Sequence, residues 1–284
     1  MIPVLKDVLR WPVVRRFVAV LTLLALAGCG GSGADDSEAV VAAFYPLAWA
    51  AEQVVAEGTE VVNLTPPGAE PHDVELSPRD LETIRDAQLV IYVGSGFQPA
   101  VEDAVSERDG PVLDVLDGDS DPHVWLDPAR FALIVAELAA HADRPEAGAA
   151  LARRLSELDA SYRRGLRRCT RSAFVTSHAS FGHLAARYGL TQLSLTGNSP
   201  EAEPGPRELE RLIDDVRASG ATTVFSEPLV SDRVAETVAR ETGAQLAVLD
   251  PLEGLSDERL AAGEDYLSVM HGNLAALREA LGCR

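Results

Sequence analysis

Basic charge is scarce in this chain. Lys and Arg together number 25 against 44 Asp and Glu, for a net charge of −19, and Lys6 is the only lysine. A surface this acidic repels phosphate backbones and anionic lipid, which argues against nucleic acid as a partner, and it attracts cations. Beyond residue 28 there is no apolar run of the roughly 20 residues that a membrane-spanning helix needs. Short-period repeats are missing, and low complexity is confined to a brief stretch near the N-terminus. What is present is a globular composition, 46% hydrophobic and 24% charged, which rules out a wholly disordered or fibrous chain. The 284 residues suffice for one large domain or two smaller ones with real cores.

Residues 1–28 read as an export signal. Lys6, Arg10, Arg15 and Arg16 form a basic start, and the apolar stretch Phe17 to Ala27 that follows has Thr22 as its one polar residue. That stretch is too short to cross a bilayer. It ends in Leu26-Ala27-Gly28-Cys29, which resembles a bacterial lipobox. The resemblance implies that Cys29 is lipidated, becomes the first mature residue and anchors the body to the outer face of the cytoplasmic membrane. Residues 29–37, rich in Gly and Ser, read as a flexible tether. With Cys29 acylated, Cys169 and Cys283 remain, and in an oxidising compartment they are expected to form one disulfide. Closing so long a loop is worth roughly 4–5 kcal/mol on loop-entropy grounds.

The rest of the chain carries one layout twice. β-rich runs fall at Ala39–Tyr45, Glu60–Leu64, Gln88–Val93 and Pro111–Val115, then at Ala173–Ser177, Thr191–Leu195, Thr222–Ser226 and Gln245–Leu249. Helical segments separate them, and that alternation predicts parallel sheets covered by helices on both faces. Ser77-Pro78-Arg79-Asp80 and Asp127-Pro128 are written as helix starts. Between the halves, Leu151, Leu155, Leu158, Tyr162 and Leu166 step by three or four, which predicts one amphipathic helix roughly 35 Å long. The expected fold is therefore α/β: two lobes, each a mainly parallel four-stranded sheet flanked by helices, joined by a long linker helix. The expected boundaries are an N-terminal lobe at 38–143, the linker at 144–168 and a C-terminal lobe at 169–284.

Six histidines occur. His141 and His271 sit in helical segments, and His183 reads as a packing or rim residue. The other three follow strands: His72 after the second, His123 after the fourth and His178 after the fifth. Asp250 ends the eighth. Ligands of open α/β sheets bind beyond the carboxyl ends of strands, and two candidates come from each lobe. Three imidazoles and a carboxylate would complete a tetrahedral shell for Zn²⁺. The spacings between these residues match no local metal motif, so spacing by itself leaves ordinary loop histidines as the alternative.

The surrounding segments are more specific. Gly68–Asp80 (GAEPHDVELSPRD), Asp121–Pro128 (DPHVWLDP) and Thr176–Leu190 (TSHASFGHLAARYGL) resemble the first three ligand loops of the substrate-binding lipoproteins of zinc and manganese ABC transporters, and Ser199–Pro206 (SPEAEPGP) and Leu249–Leu255 (LDPLEGL) resemble, in the same order, a loop near their cleft and their closing segment. Tyr266-Leu267-Ser268-Val269-Met270 and Asn273 extend the last match, and the resemblance runs from about residue 38 to the C-terminus. It implies metal ligands at His72, His123, His178 and Asp250, a divalent cation as cargo and a membrane permease as partner; a monomer is the natural expectation for a tethered shuttle. Two departures stand out. The His-rich loop of many zinc members is replaced by the short acidic Asp114–Ser120, and His183 stands where an aromatic residue is common.

Histidine at the third position favours Zn²⁺ over Mn²⁺, which is better suited by a second carboxylate; Mn²⁺ or broad divalent specificity is the alternative cargo. Glu227 and Glu70 are candidates to orient the ligand histidines. A zinc hydrolase would keep one coordination position for water. Four protein ligands without an obvious general base therefore point to binding, not to an enzyme. A siderophore carrier would want a roomy aromatic or arginine-lined cleft. A surface adhesin is compatible as an additional role.

Overall fold

The computed structural model describes residues 39–116, 118–202 and 204–284; the export signal, Cys29 and the tether lie outside them. All eight expected strands are present, each trimmed to its hydrogen-bonded centre. In the first lobe β1 is Val40–Ala42, β2 Val61–Asn63, β3 Leu89–Tyr92 and β4 Val112–Asp114. They are linked by α1 (Tyr45–Val54), α2 (Pro78–Asp86) and α3 (Pro99–Ser106), and a short 3₁₀ turn, Val124–Leu126, leads into α4 (Pro128–His141). The second lobe runs β5 (Ala173–Thr176), α6 (Gly182–Tyr188), β6 (Thr191–Ser194), α7 (Pro206–Ser219), β7 (Thr223–Ser226), α8 (Arg233–Thr242) and β8 (Gln245–Val248). A short α9 (Asp257–Ala261) and a long α10 (Tyr266–Leu281) close the chain.

Both sheets are wholly parallel, and their orders, β2-β1-β3-β4 and β6-β5-β7-β8, are the same order repeated. Register follows the apolar runs, with Val40 opposite Val61 and Leu89 in the first sheet and Val175 opposite Val224 in the second. Parallel strands need helical crossovers, and the helix starts supply them. The Ser77 hydroxyl and the Asp80 carboxylate cap each other's backbone N–H groups in a capping box, and Asp127 accepts from Ala129 N–H at 2.9 Å.

The linker helix α5 spans Pro145–Gly165 and buries Leu151, Leu155, Leu158 and Tyr162 on one stripe, as the spacing predicts. Its first turn packs so closely on α4 that a Cβ at Gly148 would collide with the Ala139 methyl. Tyr162 donates its hydroxyl to Met270 O at 2.7 Å, tying α5 to α10. From α10, Tyr266 reaches into the first lobe, stacks on Trp49 and donates to Trp125 O at 2.6 Å. The apolar core is therefore continuous from β1 through the linker to α10, while the sheet of the second lobe shares a smaller cluster with α7 and α8, built from Val175, Leu195, Val216, Val224 and Val238. The Cys169–Cys283 disulfide is formed, joining the end of the linker to the end of α10. Among the described residues no helix is long and apolar enough to cross a membrane.

Candidate metal centre

Four loops meet where the carboxyl ends of the two sheets face each other. His72, His123 and His178 converge there, as expected from their places after β2, β4 and β5, and His123 and His178 are fully buried. The carboxylate among the imidazoles is Glu253. Its Oε1 lies 3.1 Å from His178 Nε2, 3.3 Å from His123 Nε2 and 3.5 Å from His72 Nε2. His123 and His178 approach each other at 3.3 Å through Nε2, and all four donor atoms fall within 4.8 Å of one another.

Asp250, expected as the fourth ligand, has other partners. Its Oδ2 accepts from Arg259 Nη1 at 2.6 Å and its Oδ1 from Leu252 N–H at 2.7 Å. Asn273 clasps its backbone, accepting from Asp250 N–H at 2.9 Å and donating to Asp250 O at 2.7 Å. Asp250 thus shapes the turn, and Leu252, at φ 59°, swings the chain so that the carboxylate of the next residue, Glu253, enters the cluster. In LDPLEGL the two acids are three positions apart, and the difference between them lies in that left-handed residue, which leaves no mark in composition or period. Trp125, two residues after His123, donates from Nε1 to Pro251 O at 2.7 Å and pins the same turn to the first lobe.

Carboxylates also hold the far sides of two rings. Glu227, which follows β7, accepts from His178 N–H at 3.1 Å through Oε1 and meets His178 Nδ1 at 2.5 Å through Oε2. Asp121 plays the equivalent part for His123, accepting from its N–H at 3.1 Å and facing Nδ1 at 2.8 Å. The sequence reading missed Asp121, although an acid two residues before a loop histidine is the signal that could have found it. Glu70 Oε1 accepts from His72 N–H at 3.1 Å, while its Oε2 is buried without a partner. His183 sits at the rim, its Nε2 2.9 Å from Asp121 O.

Electrostatics bind the cluster together. Burial disfavours ionised Glu253, yet hydrogen bonds from His123, His178 and His72 outweigh it and hold the carboxyl well below its usual range. Burial likewise works against charged His178, but Glu227 and Glu253 carry its pKa up to about 10. His123 is raised as well, by Asp121 and Glu253 against its burial. Glu70 is pushed up to about 8 by desolvation and then by the Glu253 charge. The upward shifts of His178 and His123 mean that a cation binding there competes with protons for those two rings.

The chemistry of the donor set is specific. Ligands about 2.0–2.1 Å from a tetrahedral Zn²⁺ lie about 3.3–3.4 Å apart, close to the 3.1–3.5 Å between Glu253 and the three imidazoles. Packing this tight suits a bare ion, not a chelated one.

Known proteins resemble the chain over nearly all of the described residues. The zinc-binding lipoprotein AdcA of Streptococcus pneumoniae (strain R6) is 32% identical over an alignment of 298 positions that covers 92% of this chain and 60% of the relative. AdcA of Streptococcus pyogenes serotype M1 is 31% identical over 86% of this chain and 56% of its own length, so the chain spans little more than half of these relatives. The high-affinity zinc uptake system protein ZnuA of Bacillus subtilis is 30% identical over 93% of this chain and 96% of the relative. Among solved structures, the Zn(II)-bound ZnuA-like domain of S. pneumoniae AdcA superposes with a TM-score of 0.73 at 32% identity, covering 86% of this chain and 99% of that one. The laminin-binding protein Lmb of Streptococcus agalactiae, described as bifunctional with adhesin and metal-transporting activity, gives 0.77 at 29% identity over 86% and 99%. Residues 40–280 match the family of zinc-uptake complex component A, periplasmic (ZnuA), and the chain belongs to that family.

Proposed function

We propose that this protein is the solute-binding component of a metal ABC importer, which captures Zn²⁺ between its two lobes and passes it to a membrane permease. The ligands are His72, His123, His178 and Glu253. The observation that carries the reading is that Glu253 Oε1 lies 3.1–3.5 Å from the Nε2 atoms of all three histidines, close to the ligand separation of a tetrahedral zinc shell. Three imidazoles with one carboxylate favour Zn²⁺ over the harder Mn²⁺, and zinc-named relatives that cover 92% and 93% of the chain support the same cargo. Four protein donors leave no position for a reactive water, which fits carriage and not hydrolysis. In this reading residues 1–28 direct export, lipidated Cys29 and the 29–37 tether hold a monomeric body at the outer face of the membrane, and the lobes are 38–143 and 169–284 about the linker.

The test is a side-by-side titration of Zn²⁺ and Mn²⁺ into the chelator-stripped protein against a competitor of known strength, with Glu253→Gln and Asp250→Asn beside the wild type. One tight equivalent of zinc, much weaker manganese and a large loss with Glu253→Gln are expected. Comparable binding of both metals would move the cargo to manganese or broad specificity. Undiminished zinc affinity in Glu253→Gln would remove Glu253 from the ligand set.

A further inference from the structure

The turn that presents Glu253 is held from outside the site. Leu252 is fully buried in the left-handed region, where a branched residue stays only if its surroundings hold it. What holds it is Asp250: Oδ1 takes the Leu252 N–H, Asn273 takes the backbone, and Oδ2 is drawn to Arg259. Arg259 differs from the rest of this path in being reachable. It sits on α9 with its side chain 27% exposed, and it shares its guanidinium with Glu264, whose Oε2 accepts from Nε at 3.0 Å and Nη2 at 2.8 Å.

We propose that Arg259 is the positioning residue for Glu253: by pairing with Asp250 it fixes the turn that keeps Glu253 against the three histidines, and so sets how slowly the bound cation leaves. The proposal rests on the reading of Glu253 as a ligand. Arg259 is the positive partner that compensates the buried Asp250 carboxylate, and no second cation meets that carboxylate within ion-pair distance among the described residues. Without the guanidinium, Asp250 is left buried with no positive partner and beside a second carboxylate, Glu253, and the turn gives way at its strained residue. Glu253 withdraws, and three imidazoles remain. A contact at the surface of α9 is in this way converted into the loss of one ligand in the interior.

The experiment loads the protein with Zn²⁺ and follows its release to excess chelator by stopped flow, in wild type, Glu253→Gln, Arg259→Ala, Arg259→Lys and Glu264→Gln. Arg259→Ala is expected to raise the off-rate about 10- to 100-fold, the range of outer-sphere effects on metal sites, with the on-rate changed less than about twofold. Arg259→Lys should recover most of the loss, since an ammonium still pairs with Asp250, and Glu264→Gln should cost less than Arg259→Ala. With Co²⁺ as a spectroscopic probe, the Arg259→Ala spectrum should move toward that of Glu253→Gln. Asp250→Asn, which keeps an acceptor for Leu252 but removes the charge Arg259 grips, should also release faster and serves if Arg259→Ala does not fold. A wild-type off-rate in Arg259→Ala beside a fast Glu253→Gln would overturn the proposal, even if thermal stability fell. A wild-type off-rate in Glu253→Gln would instead overturn the ligand assignment beneath it.

Discussion

His178 in the second lobe and His72 in the first face the same carboxylate from very different settings. His178 is gripped at its backbone and Nδ1 by Glu227 and at Nε2 by Glu253, and all three side chains are at most 1% exposed. His72 rests edge-on against Phe97, meets Glu253 only at 3.5 Å and keeps 11% of its side chain in solvent. His123 is intermediate, for its supporting Asp121 is 26% exposed. The two sheets share one strand order, so this gradient comes from the loops, not from the framework. A donor whose orientation is already fixed loses little freedom on binding, whereas a loosely held one can step aside. On the function proposed above, the second lobe would therefore anchor the cation, and His72 would be the edge by which it enters and leaves.

His178→Ala should give the largest effect, a loss of zinc affinity of at least about 100-fold, since four ligands together supply about 10–16 kcal/mol in structural zinc sites. His72→Ala should lose less, with most of the change in the off-rate. Competitive titration joined to stopped-flow release separates the two, and equal losses with equal rates would break the contrast between lobes. Next come the supporting carboxylates. Glu227→Gln should cost about 10- to 100-fold and Asp121→Asn about 10-fold, at the lower end because solvent already screens that pair. A larger loss at Asp121 would invert the gradient.

The mildest lever is pH. His178, raised to about 10, and Glu70, raised to about 8, both bind protons more tightly in the folded metal-free protein than in the unfolded chain. Their contribution to stability is therefore present at low pH, and it is lost as pH rises from about 4.5 to 8 for Glu70 and from about 6.5 to 10 for His178. Zinc binding displaces the His178 proton, so affinity should rise over the same range. Melting curves with and without zinc at about pH 6 and pH 9 should show the metal-free midpoint falling and the zinc-induced increment growing. An increment that does not change with pH would mean that no imidazole proton is displaced.

Much of this was legible in the sequence. The strand–helix alternation gave all eight strands because buried parallel strands are written as short apolar runs such as Leu89–Tyr92, and the linker was visible because Leu151, Leu155, Leu158 and Tyr162 keep one stripe. Three of the four converging donors were also legible, since a histidine just past a strand end has few places to go. The fourth was not. What separates Asp250 from Glu253 is a single backbone angle at Leu252, in a turn whose Asp250 is bonded to Arg259 and Asn273, residues 9 and 23 positions away. Asp121 was within reach of the sequence, two residues before His123, but only the structure shows its carboxylate at the Nδ1 of that ring.

The bridge between Cys169 and Cys283 has a topological consequence. The polypeptide enters the second lobe at one of these cysteines and leaves at the other, so the lobe is a closed covalent ring with a single point of attachment to the linker helix. A protease that cuts once anywhere between the two cysteines opens the ring without dividing the molecule. A nick in the connection from β6 to α7 should therefore leave a protein that runs as one species until it is reduced and only then parts into two.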